Sequence, residues 1–416
     1  MSKYSTSPVY ADLTPLPLDQ GGPSPLAAIA YSDDYAETMA YLRALMAADE
    51  KSERALEVTE DLVEMNPAHY TVWLYRMGVL RALAAAGGGT GVWKGKVVGV
   101  EEGVEDEQGK TKEEKEEGEG RTLFEQELDW LNDIAQRNQK NYQIWQHRQG
   151  VILGLAGAAA GGVSSTEAAA HFAAENKHQN EQIQTLIRKE QAFIERMFEL
   201  DAKNYHVWSY RQWLVRTFAL WPDDAVAASN QQSATTDIRC QDFGELAFTD
   251  RMLRADVRNN SAWCHRWFIL NGAPASTSGG AFKKDPQLRR CESQYAQQAI
   301  RRAPQNQSAW NYLRGLVREG GLLDQASAED EEAKEVRREL HAFVEDFANL
   351  EVPERVVSSF ALELLGELVG FGEGGIERAG RAFELLGERF DPLRKRYWGY
   401  RRDLLVERRQ GFAAVA

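Results

Sequence analysis

The chain has 416 residues and a formal net charge of −14, so it can bury a sizeable core but lacks the basic balance of a nucleic-acid binder. No apolar run approaches the roughly 20 residues that cross a bilayer, and no signal-peptide core opens the chain. Cys240, Cys264 and Cys291 have no CxxC spacing, which points to a reducing compartment without a disulfide frame. The seven histidines form no paired ligand cluster, so no zinc is expected on this chain alone. A soluble, cytoplasmic protein is expected.

Residues 1–33 are rich in Pro, Ser and Gly and read as an extended segment. Helical periodicity starts at Asp34, with Met39, Leu42, Leu45 and Met46 as its stripe. Ser52 to Met65 and Tyr70 to Leu83 form an αα-hairpin, the unit expected throughout. Further hairpin helices are expected over Thr122–Arg137, Gln179–Leu200, Tyr205–Leu220, Phe243–Val257, Ala262–Leu270, Pro286–Arg302 and Ser308–Arg318. Beyond Leu322, helices continue over Glu329–Phe347, Pro353–Val369, Ile376–Phe390 and Leu393–Arg408, and no segment reads as a strand. Between these lie expected flexible insertions near 84–120, 154–178, 222–236 and 272–284. The first carries ten acids against three lysines between Glu101 and Gly120.

One phrase recurs through this order. NPAHYTVWLYR starts at Asn66, NQKNYQIWQHR at Asn138, DAKNYHVWSYR at Asp201, RNNSAWCHR at Arg258, QNQSAWNYLR at Gln305 and RYWGYR at Arg396. Six tryptophans, Trp73, Trp145, Trp208, Trp263, Trp310 and Trp398, head these copies. The fifth departs, with Leu313 in the place of the Arg and Arg314 one residue later. In the second copy Asn141 suits an N-cap, and Tyr142, Trp145 and Arg148 fall three apart on one side of the helix. As packing, the Trp locks neighbouring hairpins and the Arg satisfies carbonyls or a carboxylate. The pattern is a repeat architecture: an all-α superhelix of about seven hairpins over residues 34–410, its insertions falling in loops.

Stacked hairpins put the starts of equivalent helices along one rim. That rim would collect Tyr70, Lys140, Tyr142, Gln143, Lys203, Tyr205 and His206. Helix starts offer orphan N–H groups and a positive macrodipole end, and added Lys and Tyr hydroxyls suit phosphate or carboxylate. The lysines also suit plain solvated loop positions, and spacing does not separate the two readings. No nucleophile with an adjacent base and no phosphate loop of the GxxxxGK type is present.

The tandem KNYQIWQHR and KNYHVWSYR phrases, with RNNSAWCHRWF, NQSAWNYLRG and YTVWLYR, resemble the α subunit of protein farnesyltransferase, which also serves geranylgeranyltransferase type I. The likeness runs from about Asp34 to Arg318, with the Pro-rich segment before it, and weakens towards the C-terminus. It implies a crescent of hairpins around a β subunit that carries zinc, with magnesium as a second ion. It implies transfer of a farnesyl or geranylgeranyl group from a prenyl diphosphate to the Cys of a C-terminal CaaX sequence. Lys140 matches the catalytic lysine. Tyr142, Lys203, Tyr205 and His206 match the diphosphate side, while Gln143 and Tyr70 match the side that holds the CaaX peptide. Two other readings remain: the α subunit of the Rab geranylgeranyltransferase, and a TPR-like scaffold without a role in chemistry. The lysine before both NY dipeptides, with Gln143 and His206 after them, weighs against the first.

Overall fold

A computed structural model describes residues 3–19, 21–22, 26–27, 29–87, 121–159, 171, 175, 180–221, 244–272, 281–322, 331–369 and 375–413. Among them there is no strand. The chain forms two compact units, Met1–Ala219 and Leu220–Ala416. The first holds α1 (Asp33–Ala47), α2 (Glu53–Met65), α3 (Tyr70–Ala85), α4 (Leu123–Arg137), α5 (Tyr142–Ala159), α6 (Glu181–Leu200) and α7 (Tyr205–Thr217). The second holds α8 (Glu245–Ala255), α9 (Asn260–Asn271), α10 (Ala281–Lys284), α11 (Pro286–Arg302), α12 (Gln307–Glu319), α13 (Glu331–Glu345), α14 (Ser359–Val369), α15 (Gly375–Leu385) and α16 (Lys395–Ala413).

Helices pair as α2/α3, α4/α5 and α6/α7 in the first unit, and as α8/α9, α11/α12, α13/α14 and α15/α16 in the second. Caps fix most of the starts. Ser52 accepts from Ala55 N–H, Thr122 and Glu125 form a reciprocal capping box, and Asp285 caps α11 ahead of Pro286.

The repeated phrase is a packing device with two parts. In the first, each indole N–H donates to the carbonyl six residues before it: Trp73 to Pro67, Trp145 to Gln139, Trp208 to Ala202, Trp263 to Val257 and Trp310 to Pro304. Asn141 Nδ2 donates to that same Pro67 oxygen from the next hairpin at 2.9 Å, and Asn204 Nδ2 to that of Gln139 at 3.1 Å. Asn306 Nδ2 does the same to Val257 at 2.7 Å. The second part is ionic. Arg76 grips Glu127 of α4 with two bonds of 2.7 and 2.6 Å, Arg148 grips Glu190 of α6, and Arg266 grips Glu292 of α11. Each Glu also takes a bond from its own hairpin, from His147, Tyr210 or Tyr312 respectively. His265 bonds Glu245 in the same way at 2.7 Å. The phrase thus explains its own Tyr/His–Arg ending.

The fifth copy breaks the ionic part. Leu313 is fully buried where the other copies have Arg, and Arg314 turns to Glu363 and Glu367 of α14. The sixth keeps the same place in its helix, with Trp398 the fourth residue of α16, but exchanges the turn carbonyl for a side chain. Trp398 lies within α16 and donates to the Asp391 carboxylate at 2.9 Å.

Four expectations change in the structure. Residues 1–33 are not simply extended: they include a 3-10 turn, Pro8–Tyr10, and buried Tyr4 and Tyr10 pack on Tyr41. Arg54 ties Asp12 down at 2.6 Å, and Leu16 N–H reaches the Ala40 carbonyl. Residues 154–159 continue α5. A Cβ at Gly154 would come within 2.7 Å of the Phe124 ring, so the glycine admits the ring of α4 rather than ending the helix. Residues 281–284 form α10. Pro353 opens only a 3-10 turn, and α14 starts at Ser359 because Val357 and Ser358 donate to the Phe347 carbonyl instead of propagating a helix. The 222–236 insertion lies outside the described residues, as do 88–120, 273–280 and nearly all of 160–178.

Removing one partner of a buried pair leaves an uncompensated charge. Arg148 and Glu190 are each about 1 % exposed, so Glu190→Ala should cost about 3–5 kcal/mol in urea denaturation, with much of it recovered in the Arg148→Met/Glu190→Leu double variant. A single-variant loss below about 1 kcal/mol would show that the pair is not a lock.

Candidate functional site

The rim of the first unit is built by its caps. Asn141 Oδ1 accepts from Ile144 N–H at 3.1 Å and starts α5; Asn204 Oδ1 accepts from His206 N–H at 3.0 Å and starts α7. The other end of the Asn204 amide holds the Gln139 carbonyl, one residue before Lys140. Two helix starts are thereby drawn together. The Tyr142 ring meets His206 edge-on at 4.3 Å between centroids, and Tyr205 lies 6.2 Å from Tyr142.

Lys140 is 76 % exposed and stands 3.6 Å from Asp201 Oδ2. An ion pair this exposed is weak, so the ammonium is available to another anion. Lys203 follows Asp201 on the same turn and donates its backbone N–H to Asp201 Oδ1. Tyr70, Tyr142 and Tyr205 open their helices as residues 65, 64 and 62 % exposed, an unusual face for aromatic residues. Burial lowers the His206 pKa, and the charge of Lys140 lowers it further. Both effects favour the neutral imidazole, whose ring can both donate and accept.

Beside the rim, α3 and α5 enclose a groove of about 480 Å³. Tyr70, Leu74 and Met77 form one wall, Tyr142, Gln143 and Gln146 the other, and buried His147 lies at the base. Met77 reaches in because Gly150 faces it: a Cβ there would come within 2.6 Å of Met77 Cε. Burial pushes the His147 pKa down against the pull of Glu127. Burial would raise that of Glu127, but Arg76 and His147 more than offset it and hold the carboxyl at about 2. Behind His147, the buried Glu127 carboxylate joins it to Arg76.

All seven sequence-derived residues fall in the first unit. Tyr70, Tyr142 and Gln143 share the groove; Lys140, Tyr142, Lys203, Tyr205 and His206 occupy two adjoining helix starts and the turns before them. His69, at the N-cap of α3, makes no capping bond through its side chain. The residues that sequence reasoning missed are Asp201, which pairs with Lys140, and Leu74, an apolar side chain 68 % exposed directly after Trp73. Among the described residues no group of three or more His, Cys, Asp or Glu stands together as a metal site, and no helix is long and apolar enough to cross a membrane.

These features define a helical-hairpin repeat protein with an anion-suited rim and an adjoining groove. Residues 52–83, 124–155, 187–218, 243–273 and 291–320 match the protein prenyltransferase alpha subunit repeat. The Candida albicans protein farnesyltransferase/geranylgeranyltransferase type-1 subunit alpha is 30 % identical over 405 residues, 96 % of each chain. Its Dictyostelium discoideum counterpart of the same name is 28 % identical over 401 residues, 96 % of this chain and 92 % of that one. A solved structure of Candida albicans protein geranylgeranyltransferase-I complexed with GGPP matches with a TM-score of 0.64 at 29 % identity, over 95 % of this chain and 98 % of that chain. The chain belongs to the protein prenyltransferase α-subunit family.

Removing the Lys140 charge should raise the His206 titration midpoint, since that charge lowers it. Imidazole NMR of wild type and Lys140→Ala would read this directly; coincident titration curves would separate the two residues electrostatically.

Proposed function

We propose that this chain is the α subunit of a heterodimer with a β subunit, transferring a farnesyl or geranylgeranyl group from the prenyl diphosphate to the Cys of a CaaX protein. The observation that carries the reading is the junction of the α5 and α7 starts, where Lys140 lies exposed beside the Tyr142–His206 contact. In the reaction the thiolate sulfur bonds to C1 of the isoprenoid while the C1–O bond breaks and its electron pair leaves with diphosphate. When bound, zinc on the β subunit would supply the thiolate and magnesium would offset diphosphate charge.

This chain's part is electrostatic. Lys140 turns from Asp201 to the departing oxygens, where charge grows most in the transition state. Tyr142 and Tyr205 bring exposed hydroxyls to the same place, and Lys203 adds a second cation from the neighbouring turn. His206 adds its imidazole beside the Lys140 ammonium. On the peptide side, Gln143 offers an amide to the terminal carboxylate of CaaX, and Tyr70 with Leu74 and Met77 lines the groove for its last side chain. The apolar Leu74 and the open groove favour the pairing with β, since an exposed apolar face of this kind is covered in a complex.

Full-length relatives that carry the type-1 name support this reading over the Rab enzyme's α subunit. A scaffold without chemistry would leave Lys140 dispensable. In the heterodimer, Lys140→Ala should lower the single-turnover rate by about 10²–10³, with assembly and peptide affinity kept. An unchanged single-turnover rate would remove Lys140 from the chemistry, and lost assembly would make its role structural.

A further inference from the structure

In the second unit, α11, α12 and α13 enclose a cavity of about 220 Å³, far along the chain from the rim residues. The broken fifth phrase supplies part of its floor. Where the other copies have an arginine, Leu313 is buried and faces α13, which brings Ala333, Val336 and Leu340 to the same space. Leu316 and Val317 complete an apolar floor. A leucine is shorter than the arginine it replaces, and no glutamate of α13 lines the floor.

The lip is polar and asymmetric. The stem of Arg289 lies across Gly320, where a Cβ would come within 3.0 Å of it, and its guanidinium is held by the Phe282 and Lys283 carbonyls. Arg290 stands exposed at the opening beside Gln294, and no ion pair holds it among the described residues. Glu339 is the acid across the opening. Arg337 donates to the Leu322 carbonyl at 3.0 Å and ties the end of α12 to α13, so the cavity has a fixed far end.

We propose that this cavity binds a medium-length acyl chain with an anionic head group, the chain on the leucine floor and the head at Arg290. An apolar enclosure with a few convergent polar groups at its mouth is the usual form of a small-ligand site. The volume holds about seven groups the size of water at ~30 Å³ each, and methylenes are of similar size, so about seven carbons fit inside and a chain of about eight to ten carbons places its last carbons and head group at the lip. The site is separate from the proposed transfer chemistry and does not depend on it.

The test uses the full-length chain, purified in the complex in which it is stable, with decanoate and decanol as probes in titration calorimetry. Decanoate should bind, and more tightly than decanol. Ala333→Phe, which fills the cavity, should abolish binding of both; Val336→Met, a milder filling, should weaken it if the first variant folds poorly. Arg290→Glu should weaken decanoate about fivefold or more and leave decanol unchanged. No decanoate binding up to millimolar concentration would overturn the proposal, as would binding that survives Val336→Met and Ala333→Phe in folded protein. Equal affinity for both probes, indifferent to Arg290→Glu, would overturn the anionic head.

Discussion

The carbonyl oxygen of Gln139 accepts two hydrogen bonds, from Trp145 within its own hairpin and from Asn204 of the next. Pro67 and Val257 do the same, each taking an indole N–H and the side-chain amide of the following hairpin. A turn carbonyl has two lone pairs, and this arrangement satisfies both while joining two repeats. The same asparagines cap the helices that follow, so one residue starts a helix and fixes its position against its neighbour. The Arg–Glu grips then add the lateral restraint. Within each unit the stack is built from nearest-neighbour contacts, as in other repeat proteins.

The proposed chemistry depends on this arrangement. Lys140 sits on the turn whose carbonyl Asn204 holds, and Asp201, its counter-ion, sits on the turn that Asn204 closes. The aromatic contacts of Tyr142 with His206 follow from the same bond. Preorganised donors need a rigid frame, because a displacement of about 1 Å can cost as much as the loss of the group.

Much of this was legible in the sequence, for physical reasons. Indole and guanidinium groups at helical spacing mark a buried face, and Asn before Tyr marks a helix start. Glu127, Glu190, Glu245 and Glu292 were not read, since a lone Glu in an amphipathic helix looks like a solvated charge. Their one signal is spacing: each lies twenty residues before the Tyr or His that bonds it. Gly154 was misread because composition does not reveal that a Phe124 ring needs the space. Trp398 repeats the letters of the phrase, but its indole finds the Asp391 carboxylate of the preceding turn in place of a backbone carbonyl. The rim residues could be named, but the pairing of Lys140 with Asp201 required the fold.

The central claim is that the inter-repeat bond positions the reacting charge, and Asn204→Asp tests it most directly. A carboxylate keeps the cap on His206 N–H and loses the donor to the Gln139 carbonyl. In the assembled heterodimer the account predicts a single-turnover rate lowered by about tenfold or more, with helix content and assembly retained. A wild-type rate in a correctly assembled Asn204→Asp enzyme would contradict it.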